Sequence, residues 1–266
     1  MFIDPHIHMV SRATDDYQTL VLAGIRTVTE PAFWAGFDRG SVAGFHDYFN
    51  QLTVAEPARA ARFGIRHWCW ICLNPKEAED LSLARDVLPI MPAYLDRPTA
   101  LGVGEIGLNK NSRNELTVLE WQLALAAERK ELVLVHTPHL EDKLKGTVLI
   151  MDAVRNESRL DPSRVLIDHA EEHTIGLIKD RGFWAGLTLY PTSKCSPARA
   201  VDILEMSGTD RVWLNSAADW GVSDPLATVK AVNEMRLRRH PEALIRKVFH
   251  DNPASFLGQS PKFRAQ

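Results

Sequence analysis

Short apolar runs rich in β-branched and aromatic residues recur along the chain, separated by longer segments whose apolar residues fall at helical spacing. The runs are Phe2–Asp4, Ile25–Thr29, Ile65–Ile71, Ala100–Gly104, Leu132–Val135, Val165–Ile167, Trp184–Leu189 and Val212–Leu214. A strand followed by a helical segment, repeated without interruption, predicts βα units and a parallel sheet. Eight such units in 266 residues match a closed (β/α)8 TIM barrel, typically about 250 residues long, better than an open doubly wound sheet. No linker or low-complexity stretch divides the chain, so one domain over 1–266 is expected.

The helices carry their own signals. In "NELTVLEWQLALAAERK", Leu116, Leu119, Leu123 and Ala126 or Ala127 form one stripe, with Glu120 and Glu128 off it and Asn114 as the expected cap. "LKGTVLIMDAVRNES" reads the same way. In "SPARAVDILEMSG", Ser196 is the expected cap, Pro197 occupies the first turn and Gly208 is the stop.

A barrel of this kind builds its site at the C-terminal ends of its strands, so those positions carry the candidate chemistry. "FIDPHIHMV" ends the first strand with His6 and His8, two imidazoles on one face of an extended chain. A lone His-x-His is as often a polar strand end as half of a metal site. Here the second strand leads to Glu30, the third to Asn74, the fourth to Glu105 in "GVGEIGLN", the fifth to His136 and the sixth to His169. The eighth runs into "LNSAADWGVSDP" with Asp219. Singly, His136 and His169 read as loop histidines. Together, four histidines and two carboxylates at strand ends make a donor set for Zn²⁺, Mn²⁺ or Fe²⁺, and a carboxylate such as Glu105 can bridge two ions.

Composition narrows the function classes. With 45% hydrophobic and 24% charged residues the chain is an ordinary globular one. Its net charge of −3 lacks the basic excess of a nucleic-acid groove, and "RLRRH" (236–240) reads as a solvated helix face. No apolar stretch reaches the roughly 18 residues of a membrane helix, and a basic, apolar leader is not evident, so a cytoplasmic protein with no membrane partner is expected. Three cysteines do not suggest a disulfide framework. Cys69 and Cys72 spell Cys-x-x-Cys, but in a run that reads as buried strand rather than as a reactive helix N-terminus.

The order His-x-His, Gly-Glu-x-Gly-Leu, an isolated His after strand five, another after strand six and an acidic loop after strand eight resembles the TatD-like hydrolases of the amidohydrolase superfamily. "VFHDNPASFLG" near the C-terminus is similar to that family's closing Asn-Pro-x-x-x-Phe-Gly helix. The resemblance implies a binuclear centre, with His6, His8, Glu105 and Asp219 on one ion and Glu105, His136 and His169 on the other. It further implies Glu105 and Asp219 as catalytic carboxylates, Asp219 acting as the base. The chain departs from the family pattern in three places: Asn74 replaces a His in "CLNP", "NSAADW" replaces Glu-Thr-Asp so that Asp219 falls two residues late, and "TVTEPAFWAG" brings Glu30, Phe33 and Trp34 towards the mouth.

The resulting expectation is a divalent-metal-dependent hydrolase cleaving an ester, phosphoester, amide or lactone bond of a small molecule. Glu30, Trp34, Asn74, Lys110 and Lys143 are the candidate substrate contacts. The alternatives are a TatD-type DNA exonuclease, with Lys110 and Lys143 or Lys145 near the phosphate, and a non-catalytic metal- or ligand-binding barrel. Charge does not favour nucleic acid, and oligomeric state is not legible.

Overall fold

The computed structural model describes residues 1–138 and 142–264. Its strands are β1 (Phe2–Asp4), β2 (Ile25–Pro31), β3 (Arg66–Ile71), β4 (Ala100–Gly107), β5 (Leu132–His136), β6 (Val165–Ile167), β7 (Trp184–Thr188) and β8 (Val212–Asn215). They pair in parallel in sequence order, alternate with helices and form a nearly closed (β/α)8 barrel, as the patterning predicts. At the seam, the loops after β8 and β1 are stitched together: Ala217 N–H donates to the His6 carbonyl (2.8 Å), and His8 N–H to that of Ala218 (2.9 Å).

Parallel strands covered on both faces are apolar throughout, and β4 and β5 are buried at every position. One set of side chains, including Val103, Val133, Ile167, Leu187 and Leu214, packs against the helices. The other set fills the barrel: Ile3, Trp68, Trp70, Leu101, Leu132, Leu134, Leu166, Trp184 and Trp213, closed by Phe256, Leu257 and Phe263 from the C-terminal segment. This plug occupies the N-terminal half of the interior, which leaves the C-terminal half to polar side chains.

The glycines of "GVGEIG" have a steric cause. A Cβ at Gly104 would lie 2.8 Å from the Leu134 Cβ, and one at Gly107 would lie 2.1 Å from the His136 carbonyl oxygen. Their absence lets β4 approach β5 closely, with Gly107 paired to His136. The Gly104–Glu105 peptide is cis.

Several boundaries differ from the sequence reading. β2 runs on to Pro31 and β4 to Gly107, so Glu30 and Glu105 lie within strands rather than after them. The helix Arg113–Arg129 is capped by Ser112, not Asn114, because Ser112 and Glu115 form a reciprocal capping box. The helix Pro197–Ser207 starts and stops where Ser196 and Gly208 place it. All three cysteines are free and buried, and burial pushes the Cys72 thiol well up, away from redox reactivity. Among the described residues no helix is long and apolar enough to cross a membrane.

Phe256 is fully buried, stacked near Trp70, tilted against Trp184 and edge-on to Trp213. Phe256→Ala is expected to cost about 3–5 kcal/mol in denaturant unfolding. A loss below about 1 kcal/mol, the range of surface substitutions, would show that the plug is not a major source of stability.

Candidate metal centre

The site begins with the rotamer of His6. Its Nδ1–H donates to Asp168 Oδ2 at 2.6 Å, because the ionised carboxylate can only accept, and in the neutral imidazole Nε2 then keeps its lone pair. That lone pair faces His8 Nε2 at 3.0 Å and lies 3.9 Å from Glu105 Oε1. A mirror arrangement stands across Glu105. His169 Nδ1–H donates to Thr188 Oγ1 (2.7 Å), whose own proton goes to Asn215 Oδ1 (3.0 Å), so His169 Nε2 also carries a lone pair. It faces Glu105 Oε1 at 2.8 Å and His136 Nδ1 at 3.0 Å, while His136 Nδ1 is 2.7 Å from the same oxygen.

The donor atoms of His6, His8 and Glu105, and those of Glu105, His136 and His169, each lie within 4.8 Å of one another. Ligand atoms about 2.0–2.1 Å from a tetrahedral ion are about 3.3 Å apart, close to the nitrogen–nitrogen separations seen here. The facing lone pairs, the spacing and the nitrogen–oxygen donor set therefore fit divalent cations.

Protonation states agree. Burial holds His8 and His169 well below the usual histidine range and lowers His136 as well. Burial also opposes charge on Glu105, yet His136 and His6 hold its carboxyl well below the carboxylate range. Asp168 is depressed in the same way against its burial, by His169 and His6. His6 alone among the four is raised: burial lowers it, and Glu105 and Asp168 outweigh that. Ionised acids and mostly neutral imidazoles are the forms that accept a cation.

Asp168 is the residue that sequence reasoning missed. It sits beside His169 in "IDHA", where an adjacent acid is masked by the more conspicuous histidine. Its oxygens receive His6 Nδ1–H, the His169 backbone N–H (2.8 Å) and the Asn215 amide (3.0 and 3.1 Å). The space comes from Gly186, where a Cβ would lie 2.0 Å from Asp168 Oδ1. Such an outer partner orients a ligating histidine and fixes its tautomer.

The sequence candidates divide into those at the cavity and those elsewhere. A cavity of about 320 Å³ opens over the cluster and is bordered by Trp34, Asn74 and Asp219. Phe33 stacks on His8 (3.9 Å), and Asn74 Nδ2 donates to Glu105 Oε2 (3.4 Å). The Asp219 carboxylate stands apart from the cluster and accepts from the Tyr190 hydroxyl (2.9 Å) and Gly221 N–H (2.8 Å). Asp224 instead accepts from Leu226 N–H ahead of the helix Ala227–Leu237. Where the family pattern has its strand-eight acid, this chain has Ala217 at the cavity wall.

Glu30, Lys110 and Lys143 do not border the cavity. Glu30 points outward from the barrel, because the register of β2 turns it to His67 (2.7 Å) and Val10 N–H (2.8 Å). Lys110 is exposed, and its backbone N–H donates to Glu115 at the start of a helix. Lys143 is buried behind the centre, donating to the His169 carbonyl (2.7 Å) and Thr137 Oγ1 (3.2 Å), where it secures a histidine whose φ is +60°. Lys76, Tyr190, Lys194 and Trp220 border the cavity and were not singled out from the sequence; Lys76 lies in the short 3-10 turn Pro75–Glu77 and the others on loops, where no periodicity marks them.

A (β/α)8 barrel with this buried cluster at the strand ends is the arrangement of a metal-dependent hydrolase, which the protein is, and the chain is similar to TatD-like proteins. The chain is 27% identical over 207 residues to an uncharacterized metal-dependent hydrolase of Methanocaldococcus jannaschii, covering 76% of this chain and 78% of that protein. A TatD-like protein of Archaeoglobus fulgidus superposes with a TM-score of 0.79 at 25% identity, over 97% of this chain and 100% of that one. A phosphotriesterase homology protein of Escherichia coli, with phosphate in its active site, shares the fold at a TM-score of 0.67 and 14% identity, over 96% and 98% of the two chains. No protein-family model matches the chain.

Asp168→Asn tests the outer partner. It should lower metal affinity by about 10- to 100-fold in a competitive chelator titration while the barrel stays folded by circular dichroism. Unchanged affinity would remove Asp168 from the centre.

Proposed function

We propose that the centre holds two divalent cations, Zn²⁺, Mn²⁺ or Fe²⁺, with Glu105 between them, and that the protein hydrolyses an ester, phosphoester, amide or lactone bond of a small molecule in the cytoplasm. The observation that carries this reading is one ionised carboxylate flanked by two pairs of imidazoles, His6 with His8 and His136 with His169, of which His6 and His169 are held with Nε2 facing inward. Divalent cations supply Lewis-acid polarisation of the scissile group and lower the pKa of a water. The chain's own residues do the rest. Asp168 and Thr188 keep His6 and His169 in the tautomers that face inward. Asn74 holds the second Glu105 oxygen. Trp34, Phe33 and Trp220 give the substrate an apolar wall, which excludes water from the reacting groups. Asp219, on the same cavity, is the base that takes the proton of the attacking water and returns it to the leaving group; the Tyr190 hydroxyl and Gly221 N–H keep its carboxylate in place.

A DNA exonuclease of the TatD type is the second reading. Single strands are held in extended basic grooves with stacking platforms, whereas a cavity of about 320 Å³ in a chain of net charge −3 suits a small molecule.

Substrate profiling of metal-reconstituted protein decides between them. Activity on small activated esters or phosphoesters should equal or exceed that on single-stranded DNA and should be abolished by EDTA. Efficient trimming of DNA from its 3′ end, falling steeply with salt, would favour the nuclease. Asp219→Asn should keep its metal content and lose about 10²-fold or more in turnover, the scale of general-base removal. Near-normal turnover with metal content verified would assign the proton transfer elsewhere.

A further inference from the structure

Two ammonium groups enter the cavity from loops after different strands, and among the described residues neither has a carboxylate at ion-pair distance. Lys194 follows β7. It is partly buried, its backbone N–H donates to the Tyr190 carbonyl (3.2 Å), and its Nζ lies 5.1 Å from the Tyr190 ring centre. Lys76 follows β3 and holds its Nζ 4.6 Å from the Trp34 ring centre.

The carboxylates whose fields reach Lys194 are Glu105, Asp168 and Asp219, and each is already committed. Glu105 lies against His136 and His169, Asp168 accepts from His6 and Asn215, and Asp219 accepts from Tyr190 and Gly221. A cation drawn out of water without a matched anion is costly. A structural role does not account for it either, because Lys194 Nζ donates to no described backbone or side-chain acceptor. Lys143 is the contrast: its ammonium is buried behind the centre and hydrogen-bonded.

The surroundings add a shape. Trp34 and Trp220 lie with ring centres 6.1 Å apart at the mouth, and Phe33 lies deeper against His8. The cavity thus presents apolar ring faces beside two unpaired cations.

We propose that Lys194, assisted by Lys76 at the rim, is the specificity-determining group of this cavity, and that the substrate is a small apolar or aromatic molecule bearing an oxyanion, phosphate or carboxylate, beside the bond to be cleaved. This rests on the hydrolase reading for the word substrate, but the anion site is a property of the free cavity. Lys194 donates hydrogen bonds to the oxyanion as a point charge. Neutral esters and lactones then lack the group that Lys194 recognises, and are selected against by an ammonium left unpaired.

The test is calorimetric binding, with and without added Zn²⁺, of phenylphosphonate, phenylacetate and neutral phenylacetamide to the wild type, Lys194→Gln, Lys194→Arg and Lys76→Gln. The wild type should bind at least one anion more tightly than the amide, with affinity falling as salt rises; which anion binds identifies the oxyanion as phosphate-like or carboxylate-like. Lys194→Gln should weaken that anion by about 10- to 100-fold, the scale of a charge-assisted hydrogen bond, and leave the amide unchanged. Lys194→Arg should recover most of the affinity, and Lys76→Gln should show a smaller loss. No preference for either anion in the wild type, less than about a twofold loss in Lys194→Gln, or equal loss of anion and amide would overturn the proposal. Lys194-dependent anion binding in a metal-reconstituted protein that hydrolyses none of the activated esters, phosphoesters, amides or lactones offered in substrate profiling would refute the hydrolase reading and leave the anion site standing. Turnover of neutral esters unaffected by Lys194→Gln, without anion preference, would do the reverse.

Discussion

Everything at the mouth of this barrel depends on one buried charge. Glu105 is ionised in surroundings that penalise ionisation, and it is held so by imidazoles approaching from both sides. The constraint propagates outward. The imidazoles must present lone pairs, so their other nitrogens need acceptors; Asp168 serves His6 and Thr188 serves His169. Asp168 is a second buried charge and needs donors in turn, which the Asn215 amide and the His169 backbone supply. Glycine at 186 is a consequence of the same chain of requirements, since any side chain there would occupy the space of the Asp168 carboxylate.

The fold's contribution is a division of the barrel interior along its axis. Tryptophans and leucines, sealed by Phe256 and Phe263, fill the lower half and form an apolar floor beneath the centre. Above them the strand ends carry Glu105, His136 and Asn215, with His6 and His169 immediately beyond β1 and β6. A rigid apolar floor and short strand-end excursions keep these donors in register, as preorganised sites require. The loops above, carrying Trp34, Lys76, Tyr190, Lys194 and Trp220, are free to vary substrate without disturbing the floor.

The strand count and the barrel architecture were readable because parallel strands buried on both faces are continuous apolar runs, and β6 falls on its predicted range. The cluster was readable because strand ends are where this fold puts chemistry, and His6, His8, Glu105, His136 and His169 do converge. Sequence reasoning failed where a side chain's direction depends on register. As a residue of β2, Glu30 points to the outside of the barrel, and Lys143, a candidate substrate contact, lies behind His169 rather than at the cavity. Asp168 escaped notice because orientation of a ligand through its far nitrogen leaves no pattern in spacing. Lys194 and Tyr190 escaped because loop residues meet only in three dimensions.

The account turns on Glu105 lying between two cation sites, and an anomalous-scattering map of crystals grown with excess Zn²⁺ reads that directly. Two peaks are predicted, one beside His6 and His8 and one beside His136 and His169, with the Glu105 carboxylate reaching both. A single peak away from Glu105, or two peaks of which neither contacts it, would contradict the account.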